Sequence, residues 1–301
     1  MRHTRYVWWL VVALVLFSVP RAANAQAEAG YAGSAACLEC HQKVADTFAA
    51  TAMGKLITEN SHYDAGRRGC ESCHGPSKAH AESGGEERPP ISFGRKSTTP
   101  VTVRNATCLS CHEKTARALW KGSTHESRDV ACTSCHTVMQ EKSERAALKQ
   151  QTVVETCAQC HADKKAKLTR FSHMPLAEGK MDCTSCHNPH GSANEKMLIA
   201  SSVSETCYSC HTEKRGPFLW EHMPVVEGCA NCHDSHGSNK EKMLKVSRPR
   251  LCQQCHPTAH GGTTAKPTDA AAVRFVYNKA CSNCHFNIHG SNHPAGAFFT
   301  R

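Results

Sequence analysis

Residues 207–236 read CYSCHTEKRGPFLWEHMPVVEGCANCHDSH. Two CxxCH motifs lie in this stretch, Cys207–Cys210–His211 and Cys229–Cys232–His233. A lone histidine, His222, stands between them, and His236 follows three residues after the second. CxxCH is the attachment sequence of a c-type haem: two thiols add to the haem vinyls and the adjacent imidazole binds iron from one face. Each extra histidine can then supply an axial ligand on the opposite face of some haem.

The rest of the chain repeats this unit. All twenty cysteines fall in ten CxxC pairs, and every pair is followed by histidine. In order these are Cys37, Cys40 and His41; Cys70, Cys73 and His74; Cys108, Cys111 and His112; Cys132, Cys135 and His136; Cys157, Cys160 and His161; Cys183, Cys186 and His187; the two motifs quoted above; Cys252, Cys255 and His256; and Cys281, Cys284 and His285. Disulfides are common in exported chains and zinc often takes CxxC pairs. Neither accounts for a histidine after every pair. Ten covalently bound c-type haems do.

Of the 21 histidines, ten follow a pair and His3 lies in the leader. Ten remain: His62, His80, His125, His173, His190, His222, His236, His260, His289 and His293. Ten irons need ten second ligands, so number and placement together predict bis-histidine ligation throughout. The spacing does not say which histidine serves which iron.

Residues 1–25 read as a signal peptide. Arg2 and Arg5 give a basic start, Val7 to Val19 an apolar run, and Ala23-Asn24-Ala25 a small-residue cleavage site. The apolar run is short against the roughly 20 residues a membrane-spanning helix needs. An exported chain in the periplasm is expected. Removing Arg2, Arg5 and Arg21 lowers the formal charge from +10 to +7. The Lys and Arg residues are spread among acids, and haem propionates are the anions they can offset. No nucleic-acid partner is expected. Trp120 and Trp220 are the only tryptophans past the leader, so porphyrin must supply much of the buried surface. A chain without haem is expected to be largely unfolded.

The motifs group into five two-haem units: first motif, lone histidine, second motif and usually a trailing histidine. Residues 26–150 form an N-terminal haem-binding region with haems 1–4. Residues 151–301 form a C-terminal region with haems 5–10 and internal repeats. In unit one, Val44, Phe48, Ala52 and Leu56 recur as one stripe of an amphipathic helix. The Gly-, Pro- and Ser-rich stretch 75–107 reads as a long loop, a candidate hinge or partner-facing segment. Unit two has no histidine after His136, so one ligand must come from far away in sequence, with His293 or His289 as suppliers and Met139 as a weaker substitute. Its segment Thr137 to Thr156, containing EKSERAALKQQ, reads as a charged helix. Units three and four are near copies: His173-Met174-Pro175 matches His222-Met223-Pro224, and Glu195-Lys196-Met197-Leu198 matches Glu241-Lys242-Met243-Leu244. Such duplication suggests a stacked object. The expected fold is a multihaem cytochrome c of mostly loops and short α-helices, with almost no strand, arranged as an elongated haem stack of five two-haem units.

These strings resemble the MtrA/MtoA/DmsE family of periplasmic decahaem cytochromes. The similarity is carried by CYSCHTEKRGPFLWEH at 207–222, the HNPHGS-type turns at 187–192 and 233–238, LCQQCH at 251–256 and IHGSNHPAG at 288–296. It covers essentially the whole chain past the leader. The resemblance implies a cytochrome held inside an outer-membrane β-barrel porin. It would pass electrons between periplasmic or inner-membrane cytochromes and an extracellular multihaem cytochrome or iron mineral. A chain crossing lipid unaided needs apolar helices or a closed barrel, and this sequence offers neither. Two other functions share the motifs, a soluble periplasmic electron shuttle and a multihaem oxyanion reductase. The second needs an iron with an exchangeable position, which ten second ligands for ten irons leave no room for. A redox carrier rather than an enzyme is therefore expected, with the direction of electron flow left open.

Overall fold

Helices in this chain are short because the sequence caps them early and bends them soon after. The computed structural model describes residues 30–59, 69–94, 96–260, 268, 270, 274, 279–294 and 296–300. The leader and His62 lie outside the described residues. The chain divides into two compact units, one running up to Cys108 with Thr137–Glu141 added, the other holding Leu109–His136 and the residues from Lys142 onward.

Among the described residues there is no strand, only isolated bridges between short helices. Helix Val153–Ala158 starts with a capping box: Thr152 Oγ1 accepts from the Glu155 amide at 3.1 Å, and the Glu155 carboxylate accepts from the Thr152 amide at 3.2 Å. Its copy, Val203–Tyr208, is capped by Ser202 Oγ, which accepts from the Glu205 amide at 3.1 Å. Each helix places the first cysteine of a motif, Cys157 or Cys207, in its last turn. Repeated sequence becomes repeated geometry here.

In the first unit the Val44–Leu56 stripe is split between two helices, Ser34–Ala49 and Ala52–Glu59, which part at Thr51. Stretch 75–107 is not one loop. It contains helix Lys78–Glu82 and most of helix Val101–His112. Between those helices, the Ile91 amide donates to the His74 carbonyl at 3.1 Å, which folds the segment back onto its motif.

The expected helix across Thr137 to Thr156 is also absent before Val153. Ala146 and Ala147 instead adopt left-handed φ of 55° and 50°. Leu148 then bridges back to His136, and the Lys149 amide donates to the Cys135 carbonyl at 2.7 Å. The same brace recurs twice. Lys196-Met197 and Lys242-Met243 are left-handed, Leu198 and Leu244 bridge to His187 and His233, and Ile199 and Lys245 donate to Cys186 and Cys232. A left-handed L-residue costs roughly 1–2 kcal/mol. Burial of the three leucines and the motif hydrogen bonds offset it, which is why local helix propensity loses.

Side chains supply little core. Among the described residues, the buried apolar ones are Ile57, Trp120, Ala131, Leu148, Leu198 and Leu244, and no large side chain is fully enclosed. Phe171, Leu219 and Phe298 are each more than half exposed.

Candidate haem-ligating site

Each attachment motif occupies one helical turn. In eight of them the histidine amide donates to the carbonyl of the first cysteine, as His74 does to Cys70 at 3.1 Å and His233 to Cys229 at 3.1 Å. His41 and His112 lie inside longer helices. One turn puts both thiols and the imidazole on a common side, the arrangement that a single porphyrin requires.

The histidines then face one another across the fold. Rings of His41 and His80 stack with centres 6.2 Å apart. So do His136 and His190 at 5.9 Å, His187 and His236 at 6.1 Å, and His233 and His289 at 6.2 Å. His125 faces His161 at 6.3 Å, His222 faces His256 at 6.3 Å, and His260 faces His285 at 6.2 Å. Two imidazole nitrogens each about 2.0 Å from one metal put their ring centres roughly 6 Å apart. Seven motif histidines thus meet an added histidine at the separation an iron between them would set. Among the described residues, no histidine ring faces His74, His112 or His211 in this way.

At the junctions between units the pairing follows a rule the sequence does not display, while His41–His80 and His260–His285 pair within their own units. Lone histidines serve the first motif of the following unit: His125 meets His161 and His222 meets His256. Trailing histidines serve the second motif of the preceding unit: His190 meets His136, His236 meets His187, and His289 meets His233. What unit two lacks after His136, unit three provides through His190; His289 is engaged elsewhere.

Hydrogen bonds fix the rings. Nδ1 of every second-motif histidine donates to a downstream carbonyl: His74 to Ile91 at 2.9 Å, His136 to Ala146 at 2.8 Å, His187 to Lys196 at 2.9 Å, His233 to Lys242 at 2.8 Å and His285 to Phe298 at 2.6 Å. Three of these acceptors belong to the left-handed braces. Three lone histidines donate likewise, His125 to Pro189 at 2.8 Å, His173 to Ser235 at 3.0 Å and His222 to Ile288 at 3.1 Å. Such a bond fixes the tautomer and leaves Nε2 for a metal. These braces and acceptors were missed in the sequence, although the repeated Glu-Lys-Met-Leu strings marked where two of them lie.

Burial keeps several added histidines neutral, the form that binds metal. It pushes His190 down to about 4, with the nearby His136 adding to the effect. His222, His236 and His289 are lowered as well, each mainly by burial.

The attachment thiols run on from motif to motif. Within a unit the first cysteines are close enough to perturb one another: Cys70 raises Cys37, Cys183 raises Cys157, Cys229 raises Cys207 and Cys281 raises Cys252. Between consecutive units the second cysteines are neighbours, Cys135 with Cys160, Cys186 with Cys210 and Cys232 with Cys255. Burial and these neighbours raise Cys37, Cys135, Cys186, Cys207, Cys232 and Cys252, whereas the interaction with Cys157 brings Cys183 down to about 7.

The residues fit haem on three counts: the ring separations, the exposed apolar side chains, and two buried donors without a protein acceptor. Those donors are Trp220 Nε1 and Arg104 Nε, and a propionate is an acceptor.

Comparisons with known proteins agree with this chemistry. The doubled CXXCH motif family matches residues 173–216 and 222–261. The NrfB-like cytochrome c-type family matches residues 70–160, and the cytochrome c554 and c-prime family residues 18–75. The chain is 43% identical over 286 residues to the multiheme cytochrome MtrA of Shewanella baltica, covering 91% of this chain and 84% of that protein. It is 28% identical over 134 residues to the cytochrome c-type protein NrfB of Escherichia coli, covering 44% of this chain and 66% of NrfB. The C-type polyheme cytochrome OmcB of Geobacter sulfurreducens is 29% identical over 115 residues, which span 35% of this chain and 14% of OmcB.

Proposed function

This chain belongs to the MtrA family of multihaem c-type cytochromes, and from that premise we propose that it conducts electrons between the periplasm and the cell exterior, sheathed by an outer-membrane β-barrel. The bound haems supply the one-electron Fe(III)/Fe(II) couple. The protein's own residues do the rest. Cysteines would fix where each porphyrin sits, and the facing histidine pairs would hold the iron in both oxidation states without gain or loss of a ligand.

The observation that carries this reading is the series of six facing histidine pairs in the larger compact unit, each at the separation an iron between them would set. Paired rings leave no face open for a substrate at those positions, which supports a carrier over an oxyanion reductase. Repetition of the junction rule extends bis-histidine ligation to His211 through His173, whose Nδ1 is anchored just as in His125 and His222. No helix among the described residues is long and apolar enough to cross a membrane, so passage through the outer membrane would depend on a barrel partner.

The test is reconstitution. A redox dye trapped in liposomes carrying the protein and its co-purifying barrel should respond to an external electron donor or acceptor. Response with the barrel alone, or no response with both components, would overturn the conduit and leave a periplasmic shuttle.

A further inference from the structure

We infer that Met139 is the sixth ligand of the haem attached at Cys70 and Cys73, giving one histidine–methionine iron beside the bis-histidine ones. The inference rests on haem attachment at that motif, as the family membership supports.

Register is the first argument. Met139 stands three residues after His136, the place that His190 holds after His187 and His236 after His233. Residues at that place cap the second motif of the preceding unit: His190 meets His136 and His236 meets His187. For Met139 the corresponding iron is that of His74.

A pinned carbonyl is the second argument. At each later junction the carbonyl just before the trailing ligand accepts a hydrogen bond from the preceding unit. Pro189 accepts from His125, Ser235 from His173 and Ile288 from His222. At the first junction Val138, the residue before Met139, accepts from the hydroxyl of buried Thr51 at 3.2 Å. This contact draws 137–141 out of the run of its own motif and into the compact unit that contains His74. The docking has been kept, with methionine in the ligand position.

His74 itself is prepared for a partner. Its Nδ1 donates to Ile91 at 2.9 Å, as in the other second motifs, so Nε2 is directed to the metal. Among the described residues, no histidine ring stacks against it; its ring neighbour is the edge of Phe93. His62 has the place in its unit that His125 and His222 have in theirs, and those serve the first motif of the following unit rather than the second of their own. The Met139 side chain is 38% exposed and has not been absorbed into packing. Thioether sulfur is a soft, neutral iron ligand that favours the ferrous state and raises the potential. The first unit would then hold one haem of higher potential beside the haem attached at Cys37 and Cys40.

The test uses the full-length holoprotein and reads spectra, not conduction. The ferric protein should show the near-infrared sulfur-to-iron charge-transfer band of a histidine–methionine haem, at an intensity of one haem in ten. Met139→His should abolish the band, keep the haem count and move a single potential downward. Met139→Ala should turn one haem high-spin. An absent band, together with unchanged low-spin content in Met139→Ala and a high-spin haem in His293→Ala, would overturn the assignment. Conduction in liposomes is scored separately, so the ligand and the conduit can fail independently.

Discussion

Nδ1 of His125 donates to the carbonyl oxygen of Pro189 across 2.8 Å, and the next residue, His190, faces His136. Two added ligands from different units, serving different motifs, are therefore tied by a single hydrogen bond. The junction is reciprocal: each unit lends a histidine to its neighbour and receives one. His222 with Ile288 and His289 with His233 repeat it near the end of the chain.

Loss of one lent histidine should affect one haem in another unit. His236→Ala should leave ten haems attached, because the cysteines and His187 are untouched, and turn one low-spin iron high-spin. Intact mass gives the haem count, and electron paramagnetic resonance gives the spin state.

Glycine after a trailing histidine is a packing requirement. Gly237 has φ +116°, and a Cβ there would come within 2.4 Å of the Lys167 carbonyl oxygen. Gly237→Ala should cost about 2–3 kcal/mol through backbone strain and forced separation. It should also loosen the His187–His236 pair. A lower Tm with a partial high-spin signal checks both effects.

The left-handed brace makes two neighbouring substitutions opposite in sign. Leu244 is 8% exposed, so Leu244→Ala should destabilise by about 2–5 kcal/mol and release the carbonyl that holds His233. Lys242→Gly removes a strained φ of 55° while keeping that carbonyl, and should be neutral or stabilising by up to about 1 kcal/mol. Denaturant midpoints of the two holoproteins should move in different directions.

Glu71 clamps the backbone at Ala32 and Gly33. Its buried carboxylate accepts from the amides of Ala32 at 2.9 Å, Gly33 at 2.8 Å and Ser77 at 2.9 Å. Glu71→Ala strands three donors and should cost roughly 3 kcal/mol locally. Limited proteolysis should then cut near residues 30–34 well before the rest of the chain.

A pH effect follows from Asp234. Burial raises its carboxyl, but hydrogen bonds from Lys167 at 2.6 Å and from the His236 amide, with the Lys167 charge, outweigh that and hold it below the usual carboxylate range. A depressed folded value means stability is present above the unfolded pKa of about 3.9 and is lost as pH falls through the folded one. Both partners are partly exposed, so the effect is at most ~1 kcal/mol. Asp234→Asn should flatten the acid limb of stability against pH below about 4 and leave its slope near neutrality unchanged.

Much of this protein was legible before any folding was considered. Thioether attachment needs two thiols and an imidazole within one helical turn, so CxxCH reports each haem locally. Short helices, scarce strand and a thin apolar core also follow from composition and spacing. The segment 137–156 was misread because its alanine and charged residues suit a helix, while the long-range bridge from Leu148 to His136 sets its course. The stretch 75–107 was misread because glycine and proline conceal two helical segments.

What the sequence determined alone is the family's CxxCH motifs, ten in number, and a supply of histidines to match. Only the tertiary structure decided which histidine faces which motif. At five of the seven facing pairs the added histidine comes from another repeat, and the choice depends on a pinned carbonyl, a close glycine contact and a strained turn. None of these leaves a spacing that can be read along the chain.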